Sequence, residues 1–298
     1  MRVFVTGATG FVGSAIVHEL IGAGHQVLGL ARTEGAVTSL VSAGAQVHRG
    51  SLEDLPSLRA GASASDGVIH TAFIHDFSNM AASGVTDKIA IEAIGAALAG
   101  SGKPFVVTSA VGLLTPGLVG TESDIPDAKS AGTHRAASEH AALSLASQDV
   151  RVSAIRLPPS VHGVADHGFV PELIRVAREK KVAAYVGEGR NRWAAVHRLD
   201  AAHLYRLALE KGAAGSVFHS VAEAGVLARD IAGVIGKRLS VPVVSKSSEE
   251  AAAHFGWIAR FFATDMQASS AQTQQQLGWR PTQPGLIEDL EQGHYFER

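Results

Sequence analysis

Three glycines near the N-terminus, Gly7, Gly10 and Gly13, have the type and spacing that point most directly to chemistry. They follow a short β-branched segment and precede apolar residues at helical spacing, which predicts a strand, a tight turn and a helix. The first glycine permits the turn, the second lets a pyrophosphate approach the backbone, and the third lets the helix pack against the strand. The helix N-terminus would offer free N–H groups and a positive dipole end to the phosphates. The pattern predicts a dinucleotide site; the alternative is a glycine-rich turn that binds no ligand.

The elements that must position this turn alternate between strands and helices. Apolar segments predict further strands at residues 27–30, 46–48, 67–71, 104–108 and 150–157. Helical patterns lie at residues 11–23, 36–43, 81–99 and 133–148. This alternation predicts an α/β fold with a doubly wound parallel sheet (a Rossmann fold), whose ligand binds at the carboxyl ends of the strands.

The pattern changes after residue 158, where a helix at 170–180, a strand at 183–186 and a helix at 200–211 follow. Asp200 is the expected N-cap of the last helix. We predict a dinucleotide-binding domain over residues 1–160 and a small, interleaved C-terminal lobe on the substrate side over 161–298. A strand at 216–220 is expected to return to the sheet.

Composition excludes several classes of protein. The 298 residues carry a formal net charge of -2, which argues against a nucleic-acid surface. The absence of cysteine excludes disulfides and a Cys nucleophile, and the fourteen histidines show no metal-ligand spacing. The first residues do not resemble a signal peptide, and no apolar run approaches the ~20 residues of a membrane helix, so we expect neither. We expect a cytoplasmic protein with a small-molecule substrate, no metal, no nucleic-acid or membrane partner, and a homodimer as its assembly.

The residues after the second predicted strand bear on the choice of nicotinamide cofactor. In dinucleotide-binding folds, an acidic residue about 20 residues past the first glycines holds the ribose hydroxyls of NAD. Arg32 and Thr33 stand near that place here, and a guanidinium can bind a 2′-phosphate through two parallel hydrogen bonds. We therefore expect NADP. A surface arginine at a strand end is the alternative, and Glu34 keeps NAD as the less favoured cofactor.

Motifs over nearly the whole chain resemble those of the short-chain dehydrogenase/reductase superfamily, in its extended and atypical branches, which include NAD(P)-dependent epimerases and dehydratases. The matching segments are residues 6–13, 68–72, 106–109, 156–163, 193–202 and 277–281. The resemblance implies that residues 9–12 lie under the pyrophosphate, 51–52 at the adenine, 72–73 at the ribose and 158–161 at the nicotinamide. The full set of expected cofactor-binding residues is Gly7, Thr9, Gly10, Phe11, Val12, Gly13, Arg32, Thr33, Ser51, Leu52, Thr71, Ala72, Phe73, Thr108, Arg135, Pro158 and Ser160.

The catalytic set of that superfamily is a Ser or Thr, a Tyr-x-x-x-Lys motif and an upstream Asn, and this chain lacks it. When Glu139 is aligned with the glutamate one turn past the family's lysine, Arg135 takes the lysine position and Ala131 the tyrosine position. No tyrosine precedes Tyr185. Arg135 would hold ribose hydroxyls without donating a proton, because its pKa is too high; the alternative is an exposed pair with Glu139.

The other positions of the catalytic set have also changed. The serine position falls on Ala110, with Ser109 just before it as a hydroxyl that could polarise a carbonyl, and the asparagine position falls near Asp87. Asp87 is expected to be a helix-face or supporting residue rather than an acid.

The missing tyrosine leaves the proton donor open. Histidine titrates near working pH, so His162 and His134 are candidates, with Tyr185 as a third. His162 is preferred, because it stands where the extended branch usually has a tyrosine before a glycine. A structural role is the alternative for each histidine.

Residues 185–197 contain two glycines, two arginines, an asparagine and a tryptophan. In extended members the equivalent stretch lines the substrate cleft, so Asn191, Arg192 and Trp193 are candidates for binding a polar or aromatic substrate. Alternatively, Trp193 packs the lobe onto the sheet.

Three functions follow. The preferred one is an NADP-dependent oxidoreductase that transfers a hydride to or from a small carbonyl or hydroxyl substrate. The second is a sugar-nucleotide epimerase or dehydratase, which usually needs the missing tyrosine. The third is a dinucleotide sensor without catalysis, because an intact glycine motif beside an altered catalytic set is what such a protein would have.

Overall fold

The computed structural model describes residues 1–297 and contains fourteen strands and twelve α-helices in that range. The strands are β1 (Arg2–Thr6), β2 (Gln26–Ala31), β3 (Gln46–Arg49), β4 (Gly67–His70), β5 (Pro104–Ala110), β6 (Val119–Gly120), β7 (Arg151–Leu157), β8 (Ser160–His162), β9 (Ala183–Val186), β10 (Arg192–His197), β11 (Ser216–His219), β12 (Glu223–Leu227), β13 (Val243–Lys246) and β14 (Gln267–Ala268). The helices are α1 (Phe11–Gly22), α2 (Glu34–Ser42), α3 (Leu55–Ser63), α4 (Met80–Leu98), α5 (Ala136–Ser144), α6 (Phe169–Lys180), α7 (Arg198–Lys211), α8 (Ala228–Leu239), α9 (Ser248–Phe255), α10 (Ala259–Phe262), α11 (Ala271–Leu277) and α12 (Leu286–Glu291).

Seven parallel strands form the central sheet in the order β11-β7-β5-β4-β1-β2-β3. Its inner strands are mainly apolar because helices cover both faces, whereas the edge strand β3 is mostly polar. In β1, for example, Val3 and Val5 pack with α1 and α7, whereas Phe4 packs with α3 and α4 on the other face. The prediction of a doubly wound parallel sheet is therefore confirmed, and the strand predicted at 216–220 is β11, which pairs with β7.

The lobe packs around its own apolar core, built from α6, α8, α9, α10 and α12. A three-stranded sheet (β12-β10-β8) and two two-stranded sheets (β13-β9 and β14-β6) complete it. No helix within residues 1–297 combines the length and the hydropathy that a membrane crossing requires.

One expectation about helices is confirmed with shorter bounds, and another is wrong. The helix expected at 133–148 consists of α5 between two 3-10 turns, Thr133–Arg135 and Leu145–Gln148. The first turn presses its backbone against α4, where a side chain at Gly84 would overlap the carbonyl oxygen of His134. Asp200 is not an N-cap: α7 begins after His197, and the Asp200 carboxylate accepts hydrogen bonds from the backbone N–H groups of residues 282 and 283.

Candidate functional site

A cleft of about 1080 Å³ opens at the carboxyl ends of the central strands and extends between the sheet and the lobe. Loops that leave β1, β2, β3, β4, β5 and β7 supply its wall on the sheet side. All seventeen residues expected to bind the cofactor line this cleft, although they come from seven separate segments of the chain. The structure therefore brings them together; their contacts with a cofactor stay a prediction.

The glycine turn has a geometry that explains each glycine. Gly7 has a φ of 66°, in the left-handed region that favours glycine. A side chain at Gly13 would overlap the carbonyl oxygen of Gly7, so α1 packs against the turn only because that side chain is absent. At Gly10, by contrast, an added Cβ would meet only the Gly7 oxygen, at 3.2 Å. The space beside Gly10 is therefore open to a ligand.

The first turn of α1 faces this open space without a side-chain cap. Gly10 is its N-cap residue, and the turn contains no acidic residue. Unsatisfied N–H groups and a positive dipole end remain for an anion. This cradle and the Gly10 space fit a dinucleotide pyrophosphate.

The expected adenosine end of the cleft carries a cation, Arg32, and an exposed acid, Glu53, which follows the predicted adenine residues 51–52. Arg32 is exposed and lines the cleft, and within residues 1–297 it has no ion-pair partner. Glu34, the candidate for a ribose contact, lies outside the lining and accepts two hydrogen bonds from Arg49, at 2.7 and 2.9 Å. The Thr33 hydroxyl accepts a hydrogen bond from the Ala36 N–H and so caps α2.

Arg135 lies in the middle of the cleft and is held from three sides. Its Nη2 donates to the carbonyl oxygen of Thr108 at 2.6 Å, its Nη1 is 3.7 Å from Asp87 Oδ2, and its guanidinium lies 4.0 Å from the ring centre of Phe73. The alternative of an exposed pair with Glu139 is wrong, because Arg135 is buried and points toward α4 and β5.

Asp87 anchors Arg135 from below and is itself fully buried. The ring of His70 connects Asp87 to Thr6: its Nε2 is 3.1 Å from Asp87 Oδ1, and its Nδ1 is 2.8 Å from Thr6 Oγ1. Burial by itself would raise the pKa of Asp87, but the Arg135 charge and the His70 hydrogen bond outweigh burial and hold the pKa below its ordinary value. Asp87 is thus an ionised supporting residue.

Ser109 lines the cleft, but its hydroxyl proton is used in a hydrogen bond within the protein. Its hydroxyl donates to Glu139 Oε2 at 2.5 Å, and Glu139 also accepts two hydrogen bonds from Arg156, at 2.6 and 3.0 Å. All three side chains are buried. In this arrangement Ser109 does not donate to a substrate carbonyl, contrary to the expectation.

His134 lines the cleft beside Arg135, with its ring centre 6.0 Å from that of Phe73. Burial and the Arg135 charge lower the pKa of His134 to about 4. The ring is therefore neutral at pH 7 and does not supply a proton from an imidazolium.

His162 and Tyr185 lie outside the cleft, so the structure contradicts both as proton donors. His162 is fully buried on β8, where its Nδ1 is 2.9 Å from Asp289 Oδ2 and its ring packs 5.3 Å from that of His197. It joins β8 to α12. Tyr185 lies on β9, in the lobe, against Gly189.

The expected substrate segment is also displaced from the lining. Asn191 donates to the carbonyl oxygen of Phe262 at 2.7 Å, and Arg192 donates to Gln267 Oε1 at 2.9 Å on the surface. Trp193 is buried in the lobe core, where its indole N–H donates to the carbonyl oxygen of Phe261 at 3.1 Å. These residues support the lobe and do not face the cleft.

The lobe end of the cleft is instead lined by four aromatic residues that the sequence analysis missed. This aromatic wall consists of Phe77, Phe169, Trp257 and Phe261. Phe77 stacks on Trp257 with 3.9 Å between ring centres, and Phe169 lies 5.1 Å from Phe261. Phe73, His75 and Phe77 alternate along the loop that follows β4, and this alternation was the available signal.

Polar residues of the loop before α6 were missed as well. Asp166 and His167 line the cleft, and the ring centre of His167 is 5.8 Å from that of Phe11. Burial raises the pKa of Asp166, which accepts hydrogen bonds from the Gly168 N–H and the Tyr295 hydroxyl. Within residues 1–297, no group of three or more His, Asp or Glu side chains is placed to hold a metal ion.

Relatives of this chain include proteins of uncharacterised function. The chain is 51% identical to an uncharacterised protein of Schizosaccharomyces pombe over 99% of this chain and 100% of the relative. It is 46% identical to one of Saccharomyces cerevisiae over 97% and 98%. It is 26% identical to the 4-hydroxy-2-methyl-3-oxo-4-farnesyl-3,4-dihydroquinoline-1-oxide ketoreductase of Stigmatella aurantiaca over 86% of this chain and 80% of that one.

Solved structures share the fold. A dTDP-glucose 4,6-dehydratase of Streptomyces venezuelae, crystallised with NAD, matches with a TM-score of 0.79 over 99% of this chain and 98% of that one, at 18% identity. The sequence model of the NAD dependent epimerase/dehydratase family matches residues 3–221. This match covers the glycine turn and every strand of the central sheet, and the chain belongs to the NAD dependent epimerase/dehydratase family.

Proposed function

We propose that this protein is an NADP-dependent oxidoreductase that transfers a hydride to or from a small carbonyl or hydroxyl substrate. One observation carries the proposal: a single continuous cleft joins the uncapped start of α1, the unpaired Arg32 and the buried Arg135 to the aromatic wall under the lobe. The family assignment agrees with a nicotinamide enzyme. The ketoreductase among the relatives supports reduction of a carbonyl, and NAD in the dehydratase structure keeps NAD as the second cofactor.

The residues of the cleft suggest how a dinucleotide would be held. The N–H groups at the start of α1 would bind the pyrophosphate, and Arg32 would bind a 2′-phosphate. When bound, the nicotinamide supplies a hydride, that is, two electrons and one hydrogen. Phe73 and Arg135 would then border the ribose, in the middle of the cleft.

Arg135 would act as a fixed positive charge. Asp87 and the Thr108 carbonyl hold its guanidinium in place, so it would stabilise negative charge that develops on a substrate oxygen without moving. The guanidinium keeps its protons at neutral pH. We therefore assign the proton of the reaction to water that reaches the cleft.

The test of the cofactor assignment is a binding titration with Arg32→Ala. NADPH should bind 10-fold to 100-fold more weakly, because a charge-assisted contact contributes about 1.5–3 kcal/mol, whereas binding of NADH should barely change. Arg59→Ala, on the exposed face of α3 and outside the cleft, is the matched control. Equal losses for both cofactors would remove the 2′-phosphate role.

Turnover is tested separately by following NADPH absorbance with a panel of aldehydes and ketones. Consumption of NADPH that depends on both the protein and a carbonyl supports the oxidoreductase. Tight binding of NADPH with no consumption across the panel would favour the dinucleotide sensor instead.

A further inference from the structure

The lobe end of the cleft combines an aromatic surface with charged side chains that are paired with each other. Trp257 is 40% exposed, although its indole is held in place by a 3.1 Å hydrogen bond from Nε1 to Glu172. Glu172 is fixed in turn by two 2.7 Å hydrogen bonds from Arg175. A large aromatic face that is both rigid and solvent-exposed is typical of a binding surface.

Aromatic contacts connect this surface to the middle of the cleft. The ring of Phe73, under the Arg135 guanidinium, is 5.1 Å from His75. His75 is 6.2 Å from Phe77, which stacks on Trp257. A flat ring lying along this path would place a substituent near Arg135.

The same end offers little to a diphosphate. The start of α6 lines it without a side-chain cap, but its first turn contains the acidic Glu172, whereas the first turn of α1 has no acid. Within the described residues, Arg175 is paired with Glu172 and Glu179, and Arg135 faces Asp87. Arg260 adds to the positive field at His134 but is exposed and does not line the cleft. A nucleoside diphosphate needs several unpaired cations or N–H donors, because its charge is costly to desolvate.

We infer that the substrate of this site is a flat, uncharged carbonyl compound whose carbonyl is conjugated with a ring, and not a sugar nucleotide. This inference rests on the proposed function. The hydride from the reduced nicotinamide forms a C–H bond at the carbonyl carbon, and the C=O π pair moves to oxygen. That oxygen takes a proton from water, so one NADPH, one proton and one carbonyl give NADP⁺ and an alcohol.

The probes are a matched pair of aldehydes, benzaldehyde and cyclohexanecarboxaldehyde, which have equal carbon counts and differ in planarity. Benzaldehyde is the less reactive carbonyl because of conjugation, so a higher kcat/KM for it must come from binding. We expect the wild-type protein to prefer benzaldehyde. Trp257→Leu should raise its KM about fivefold to tenfold, the worth of an aromatic contact, and leave that of the cyclohexyl compound within about twofold. Trp257→Phe, which keeps a ring, should retain the preference.

A second measurement does not depend on turnover. Benzamide and cyclohexanecarboxamide are unreactive, uncharged analogues, and calorimetry should find tighter binding of benzamide to the wild-type protein than to Trp257→Leu. Equal affinity of the two amides, an equal loss for both aldehydes in Trp257→Leu, or competition by micromolar UDP-glucose would overturn the inference. If benzamide binds selectively but NADPH is consumed with neither aldehyde, the proposed function fails and the aromatic specificity of the site stands.

Discussion

The two ends of the cleft differ in how their walls are built. The cofactor end consists largely of backbone groups that follow consecutive strands, with the glycine turn and the start of α1 in one stretch of eight residues. The aromatic wall takes its side chains from the loop after β4, the start of α6 and two short helical turns near residue 260. A dinucleotide end depends on local backbone geometry, whereas a substrate end depends on how distant segments meet. A short sequence motif can therefore predict the dinucleotide end, but no short motif predicts the substrate end.

Gly13→Ala should lower the stability most, because it disrupts the close backbone contact between α1 and the glycine turn at the cofactor end. The added methyl group would overlap the Gly7 carbonyl oxygen, and neither group belongs to a flexible side chain. We expect the free energy of unfolding to fall by about 3 kcal/mol, as for severe overpacking. Urea denaturation measures it. Gly22→Ala, at the other end of α1 with nothing within 4 Å, is the control and should be neutral or stabilising.

A substitution at Asp87, which holds Arg135 in the middle of the cleft, should lower the stability nearly as much. Asp87→Asn leaves the Arg135 guanidinium buried without its ion-pair partner, which should cost about 3 kcal/mol at pH 7. Because the pKa of Asp87 is depressed in the folded protein, its contribution is complete above the ordinary value of 3.8 and is lost as pH falls below it. The difference in stability between wild type and variant should therefore shrink in acid. A difference of the same size at pH 3 and pH 7, or an equal loss in the exposed Asp230→Asn, would contradict this account.

A smaller effect is expected at His162, which the sequence analysis placed at the reacting end. His162→Phe removes the partner of the buried Asp289 carboxylate, so the free energy of unfolding should fall by about 1.5–3 kcal/mol. Turnover per folded molecule should stay within about twofold, compared with the 10²–10⁴-fold loss typical of a missing general acid. Thermal denaturation and steady-state kinetics separate the two roles. Exposed His140→Phe is the control, and a large fall in kcat at unchanged stability would restore a catalytic role.

The difference between the two ends of the cleft also explains which parts of the fold and the site could be predicted from the sequence. The parallel sheet and the seventeen cleft residues could be predicted from the sequence because each depends on a short pattern. Gly7, Gly10 and Gly13 form one such pattern, and the residues that follow each predicted strand form the others. The placement of His162 was wrong because its short strand turns inward to β10 and α12, a contact made with residue 289. Trp257 and Phe77 are 180 positions apart in the chain, and no local pattern shows that they stack.

The most direct test of the central claim is a fluorescence titration of NADPH against Gly10→Val. The backbone at Gly10 is extended, with φ -73° and ψ 174°, a conformation that valine adopts readily, and the new side chain would fill the space assigned to the pyrophosphate. The added Cβ would lie 3.2 Å from the Gly7 carbonyl oxygen, so Tm should fall slightly while circular dichroism stays that of the wild-type protein. We predict that the Kd for NADPH rises on the order of 100-fold, the loss of two charge-assisted hydrogen bonds. NADPH binding at wild-type affinity by a folded Gly10→Val protein would contradict the account, because the glycine turn would then not be the dinucleotide site.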